Sequence, residues 1–204
     1  EQFQSTIEAV VAGVRIILKY CEFSGTMRRI IYTGSITAMS PLKQDGTSFN
    51  HTIDESCWTP LCFSFSHYED HEKSAFALTT LAKKEILNYN NLKEKKGMEI
   101  VSLACGLVGG NTLLPYMPTS VRVVLAPLSG EEQCYRQLHI LQGLLGSIPL
   151  VHIDDVFEAH IFYIEKPSMA GRYLCANGYP LIHDFAQHFT CKYSQMEMIK
   201  VEDE

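Results

Sequence analysis

Short, wholly apolar runs alternate with stretches of helical periodicity along the whole chain, and this alternation is what most narrows the possible folds. Ile30-Ile31-Tyr32-Thr33, Met98 to Ala104 and Leu150-Val151-His152-Ile153 read as strands buried on both faces, with Arg172 to Ala176 as a further short strand after Gly171. Between them, Phe3 to Tyr20 carries Ile7, Val10, Val11, Val14, Ile17 and Leu18 at helical spacing, and Lys73 to Tyr89 carries Phe76, Leu78, Leu81, Ala82, Ile86 and Leu87. Pro118 opens a helix toward Leu125, and Gln133 to Leu145 is helical. Asp154 or Asp155 caps the helix bearing Val156, Ala159, His160, Phe162 and Ile164, and Leu181 to Phe189 is a last amphipathic helix. Apolar strands interleaved with helices predict an α/β layer fold with a parallel sheet.

Composition removes several function classes. The 204 residues are 46% apolar and 20% charged, an ordinary folded balance, and the net charge of -6 is the wrong sign for tracking phosphates, so no nucleic-acid partner is expected. The apolar stretch Val10 to Val14 lies between Glu8 and Arg15, no segment approaches the length of a membrane span, and no signal peptide is visible. Seven cysteines without a C-x-x-C pair argue against a disulfide framework and for a reducing, cytoplasmic setting, where the Asn50-His51-Thr52 sequon carries no meaning.

A long polar loop, Ser40 to His71, contains Pro41, Gly46 and Pro60; loops of that length inside a domain are usually functional. In parallel sheets ligands sit beyond the carboxyl ends of strands, which singles out Thr33-Gly34-Ser35 and Cys105-Gly106-Leu107.

Six stretches, in order, resemble the dihydroflavonol, anthocyanidin and vestitone reductase group of extended short-chain dehydrogenases: Arg28 to Ser35, Asp54 to Trp58, Thr80 to Lys84, Val151 to Val156, Ala159 to Phe162 and Gly171 to Tyr173. The resemblance implies part of a Rossmann-like, doubly wound parallel sheet with helices on both faces and a small substrate-side portion at the carboxyl end, divided into residues 1–112 for the remaining half of the NADP(H)-binding domain and 113–204 for a mixed substrate-side region whose strand 148–153 and helix 154–166 return to the core. It also implies a Ser-Tyr-Lys site acting on a flavonoid-type or related phenolic carbonyl. In such a site a lysine stabilises the phenolate of a tyrosine, whose reference pKa of about 10 makes it a poor acid or base alone, while the serine holds the substrate oxygen. It implies Ser35 as the serine, Thr33, Gly34, Cys105, Gly106, Leu107 and Val108 along the cofactor, and Ser40 and His152 at the substrate pocket.

The chain departs from that pattern in three places. Anchored on Thr80-Leu81-Ala82, the tyrosine position falls on Ala75 and the lysine position on Thr79; a shift of one gives Phe76 and Thr80. The Gly-rich turn that brings backbone amides to a pyrophosphate is not found in residues 1 to 26. Cys105-Gly106 stands where the group has Pro-Thr, which is expected to loosen the backbone. An impaired reductase, or a reductase-derived binding or scaffold protein, is therefore expected, with self-association if the helices 3–20 and 73–89 lack partners.

Other candidates remain. Tyr89-Asn90-Asn91-Leu92-Lys93 is a literal Y-x-x-x-K, read as a solvated helix end. Tyr68 is a candidate relocated acid. His67 and His71, at i and i+4, have no further ligand cluster, so no metal is expected. Trp58 reads as a loop anchor, and the alternative for His152 and Asp154-Asp155 is a strand end with a helix cap.

Overall fold

The computed structural model describes residues 5–61, 68–91 and 98–193. Helix α1 (Thr6–Ser24) starts where the Ser5 hydroxyl accepts the Glu8 amide at 3.2 Å and ends on Gly25, whose φ of 65° lies in the left-handed region. Strand β1 (Arg29–Ser35) runs into a 3-10 turn, Ile36–Ala38. Helix α2 (Asp70–Asn88) is opened by the Glu69 amide, which donates to the Glu72 carboxylate at 2.8 Å. Strands β2 (Glu99–Cys105) and β3 (Leu107–Gly109) precede α3 (Thr119–Val124), α4 (Ala126–Ser129) and α5 (Glu132–Leu145). The chain continues through β4 (Leu150–His152), α6 (Ile153–Glu165), β5 (Gly171–Cys175) and α7 (Ile182–Lys192).

The sheet order is β1-β2-β5, all parallel, with Arg29 opposite Glu99 and Val101 opposite Gly171. Strand alternation sorts the helices. Val101, Leu103 and Cys105 pack with Val156 and Tyr163 of α6, whereas Ile100 packs with Leu18 of α1 and Ile86 of α2. The parallel α/β layers with helices on both faces thus agree with the sequence. The central strand β2 is buried because both of its faces are covered.

Three local expectations are corrected. Gly106, Gly109 and Gly110 mark a turn after the second strand in the sequence, but residues 107–109 form a strand parallel to β4, with Leu107 opposite Leu150 and Gly109 opposite His152. The cap of α6 is His152, whose Nδ1 accepts the Asp154 amide at 3.3 Å; Asp154 and Asp155 fall in the first turn, where negative charge suits the helix dipole. Cys105-Gly106 does not loosen the backbone. The Gly106 amide donates to the Cys175 carbonyl at 3.0 Å, the Leu107 amide to the Pro149 carbonyl at 2.8 Å, and a Cβ on Gly106 would collide with that Pro149 carbonyl.

Candidate functional site

The carboxyl ends of β1 and β2 lie side by side, with Ser35 opposite Cys105. Ser35 is exposed at this rim. Its Oγ accepts the Thr37 amide at 3.2 Å and the Thr37 hydroxyl at 3.0 Å, so it caps the 3-10 turn and keeps its own O–H to offer. Thr33, also exposed, meets His160 of α6: Thr33 Oγ1 and His160 Nε2 are 2.7 Å apart. Because His160 Nδ1 faces the Val156 carbonyl at 2.7 Å it carries the proton, and Nε2 accepts from the Thr33 hydroxyl.

Under this rim lies a lysine. Lys83 on α2 is fully buried, and its ammonium donates to the Ser35 carbonyl at 2.6 Å. A helical side chain leans toward the helix N-terminus, which lets a residue one turn later reach back over position 79. Its aliphatic stem fills the space beside Gly34, where a Cβ would stand 2.7 Å from Lys83 Cε and 2.9 Å from Tyr32 Cε1. Burial, then the nearby Arg172 charge, lowers the amine to about 8, with Cys105 opposing. Cys105 itself is pushed up to about 12, first by burial and then by Cys175 beside it, so it is no ready nucleophile.

Ala75, Thr79 and Lys83 recur every fourth residue and share one stripe of α2. Ala75 is exposed, and the Thr79 hydroxyl donates back to the Ala75 carbonyl at 2.9 Å. Neither Tyr68, the candidate relocated acid, nor Tyr32, which lies beside Lys83, fills the gap. Tyr68 is buried with Ile36, Met39 and Leu144, and its hydroxyl donates to the Ile140 carbonyl at 2.8 Å; burial raises its pKa well above the usual value. Tyr32 lies next to Lys83, but its ring packs with Leu18, Ile86 and Ile100, and burial raises its pKa with no lowering from the ammonium.

The remaining candidates have structural duties. Ser40, expected at the substrate pocket, is buried; its hydroxyl donates to the Leu144 carbonyl and accepts the Leu42 amide at 3.0 Å. His152 is half-exposed at the head of α6 and 3.3 Å from the Asp154 carboxylate. Tyr89 is not at a solvated end: it is buried beside Ile86, while the Asn90 side chain pairs with both backbone groups of Ile100. Lys93 and His67 lie outside the described residues, and His71 pairs with Glu69 at 3.1 Å. No group of three or more metal-ligating side chains occurs among the described residues. Trp58 anchors its loop, with the Arg172 guanidinium 3.7 Å and the Lys84 ammonium 5.0 Å from its ring centroid.

No family profile matches the chain. It is 33% identical over 193 residues to a putative anthocyanidin reductase of Ginkgo biloba, covering 94% of this chain and 54% of that protein. It is also 33% identical over 183 residues to the anthocyanidin reductase of Arabidopsis thaliana, covering 88% and 52%. The crystal structure of vestitone reductase from alfalfa superposes with a TM-score of 0.70 at 26% identity, covering 96% of this chain and 59% of that one. This chain is a homologue of the anthocyanidin, dihydroflavonol and vestitone reductases. It spans about half the length of the curated relatives it matches.

For a homologue of these reductases, the rim is informative in what it still offers a cofactor. Beside Gly34 and Gly106 the space that a Cβ would take is filled by Lys83 and by the Pro149 backbone, so that side of each glycine is closed. The exposed Ser35 and Thr33 hydroxyls and the half-buried Leu107 and Val108 suit the flat, amide-bearing end of a nicotinamide nucleotide, which would supply hydride if bound. Among the described residues no phosphate-binding turn adjoins them. Lys83 is the residue that sequence reasoning missed. Its signal was a lysine four residues past an expected lysine, on the same helical stripe. Among the described residues no helix is long and apolar enough to cross a membrane.

Proposed function

We propose that this chain is a reductase relative that binds NADP(H) and a phenolic, flavonoid-type ligand at the β1–β2 rim but does not run the proton relay of carbonyl reduction. The observation that carries this reading is the α2 stripe: Ala75 and Thr79 stand where a phenol and an ammonium are needed, and the one amine on that stripe, Lys83, donates to the Ser35 backbone carbonyl with no phenol on the stripe to stabilise. Ser35, Thr33, Leu107 and Val108 keep a surface for the cofactor and the substrate oxygen, with His152 toward the substrate side. Without a proton donor whose charged form is stabilised, the barrier rises by the amount that general acid catalysis supplies, a factor of about 10²–10⁴. Residues 113–204 would then provide the walls around the ligand.

The test is a restoration. The purified protein is titrated with NADPH by fluorescence and assayed for NADPH-dependent reduction of a dihydroflavonol or related phenolic ketone, alongside the double variant Ala75→Tyr, Thr79→Lys. Binding in the submillimolar range with no turnover in the parent, and a gain of at least about 10²-fold in the double variant, is the expected outcome. Turnover by the unmodified protein would overturn the reading, as would no nucleotide binding by either form.

A further inference from the structure

Between α2 and the sheet lies a row of buried polar groups with too many donors and too few acceptors. Tyr32, Ser102 and Arg172 are register neighbours across β1, β2 and β5. Ser102 is on the face of β2 that packs against α2, shared by Ile100 beside Ile86. Thr80 and Lys83, three residues apart on α2, are both fully buried, as is Ser102, and Arg172 is only 8% exposed. Among the described residues, Thr80 Oγ1, Ser102 Oγ and Arg172 Nη1 have no hydrogen-bond partner.

The charges are as unbalanced as the hydrogen bonds. Lys83 gives one of its three N–H groups to the Ser35 carbonyl; the Arg172 Nε and Nη2 atoms are used on the Glu55 and Cys57 carbonyls. Among the described residues neither cation has a carboxylate within ion-pair distance. Asp54 and Glu55 act on Arg172 from further off, with the Asp54 carboxylate held by Ser56 and that of Glu55 by the Leu174 amide at 3.2 Å. Two buried cations near one another repel, and a buried unpaired charge costs several kcal/mol. Every unspent group here can donate, and none is an anion.

We propose that Lys83, Arg172, Ser102 and Thr80 form an internal binding site for a small monovalent anion of the halide class. All four side chains are more than nine-tenths buried, which excludes a carboxylic-acid metabolite or a phosphate ester and favours a monatomic ion with modest hydration. Such an ion takes up the unused N–H groups of the two cations and the unpartnered hydroxyls as donors and cancels one of the two charges. The site is independent of the ligand reading of the rim above it.

Thermal unfolding of the protein in sodium chloride is compared with sodium gluconate at equal ionic strength, from 10 to 300 mM as rough limits of screening and mass action. A chloride-specific rise in Tm of about 2–4 °C is expected, absent in Lys83→Met and reduced in Ser102→Ala. Lys83→Met must keep the parent's circular dichroism, and Ser102→Ala serves if it does not. In crystals soaked in bromide, an anomalous peak is expected between Lys83 Nζ and Arg172 Nη1. Superimposed chloride and gluconate curves, an unchanged chloride response in both variants, or ordered water without bromide at that position would each overturn the proposal.

Discussion

At the scale of single residues, Lys83 makes the most specific demand. A fully buried ammonium with one backbone acceptor is a cost that a well-packed apolar side chain of similar length avoids, and such replacements are often stabilising. Lys83→Met is expected to raise stability by about 1–2 kcal/mol in gluconate at pH 7, measured by urea denaturation. The pH dependence has a definite sign. The amine is held at about 8 in the fold and returns to about 10.5 in the unfolded chain. Between those values the unfolded chain binds more protons, so parental stability climbs as pH rises from about 8 to 10.5, and the Met variant lacks that slope. A flat parental profile would contradict the burial. The sequence pointed to Ser35, Ala75 and Thr79 but not to Lys83, because what makes Lys83 important is its backward lean along α2 and the gap beside Gly34. Neither is visible in residue spacing.

At the scale of elements, strands and long helices were legible because both depend on patterns of apolar residues, which the sequence displays directly. What was not legible depends on neighbours. Residues 107–109 look like a glycine turn, yet they pair with Leu150–His152, and that pairing was set by a strand more than forty positions on. Propensity places the cap of α6 on an aspartate, but the imidazole one residue before the helix already holds the Asp154 amide. The tight approach of Gly106 to the Pro149 carbonyl gives a paired test. Gly106→Ala forces backbone apart and should lose about 1–3 kcal/mol. Gly13→Ala, inside α1 with nothing within 4 Å of the new Cβ, should gain about 0.5–1 kcal/mol. Equal effects in urea unfolding would show that the β2–β3 junction is not clamped as described.

At the scale of the whole molecule, β1 pairs on one side only among the described residues, and the helices flanking it present apolar side chains to water. Ile17, Tyr20 and Phe23 are exposed on α1, and Phe157, Ile161 and Ile164 on α6, the last three at a spacing that forms a continuous stripe. An open strand edge between two greasy surfaces invites association. The isolated chain is expected to run larger than its 23.0 kDa mass in light scattering, and Tyr20→Glu with Phe157→Glu should shift it toward monomer. A parent that is monomeric at high micromolar concentration would count against this. The ladder itself has a kinetic consequence. Arg29 meets Glu99 seventy residues along the chain, and Val101 meets Gly171 after another seventy, so no strand of the main sheet can zip onto its neighbour from a nearby turn. Each pairing must await the closure of a long intervening excursion, which places assembly among slow, non-local topologies and leaves half-built sheets exposed while they wait.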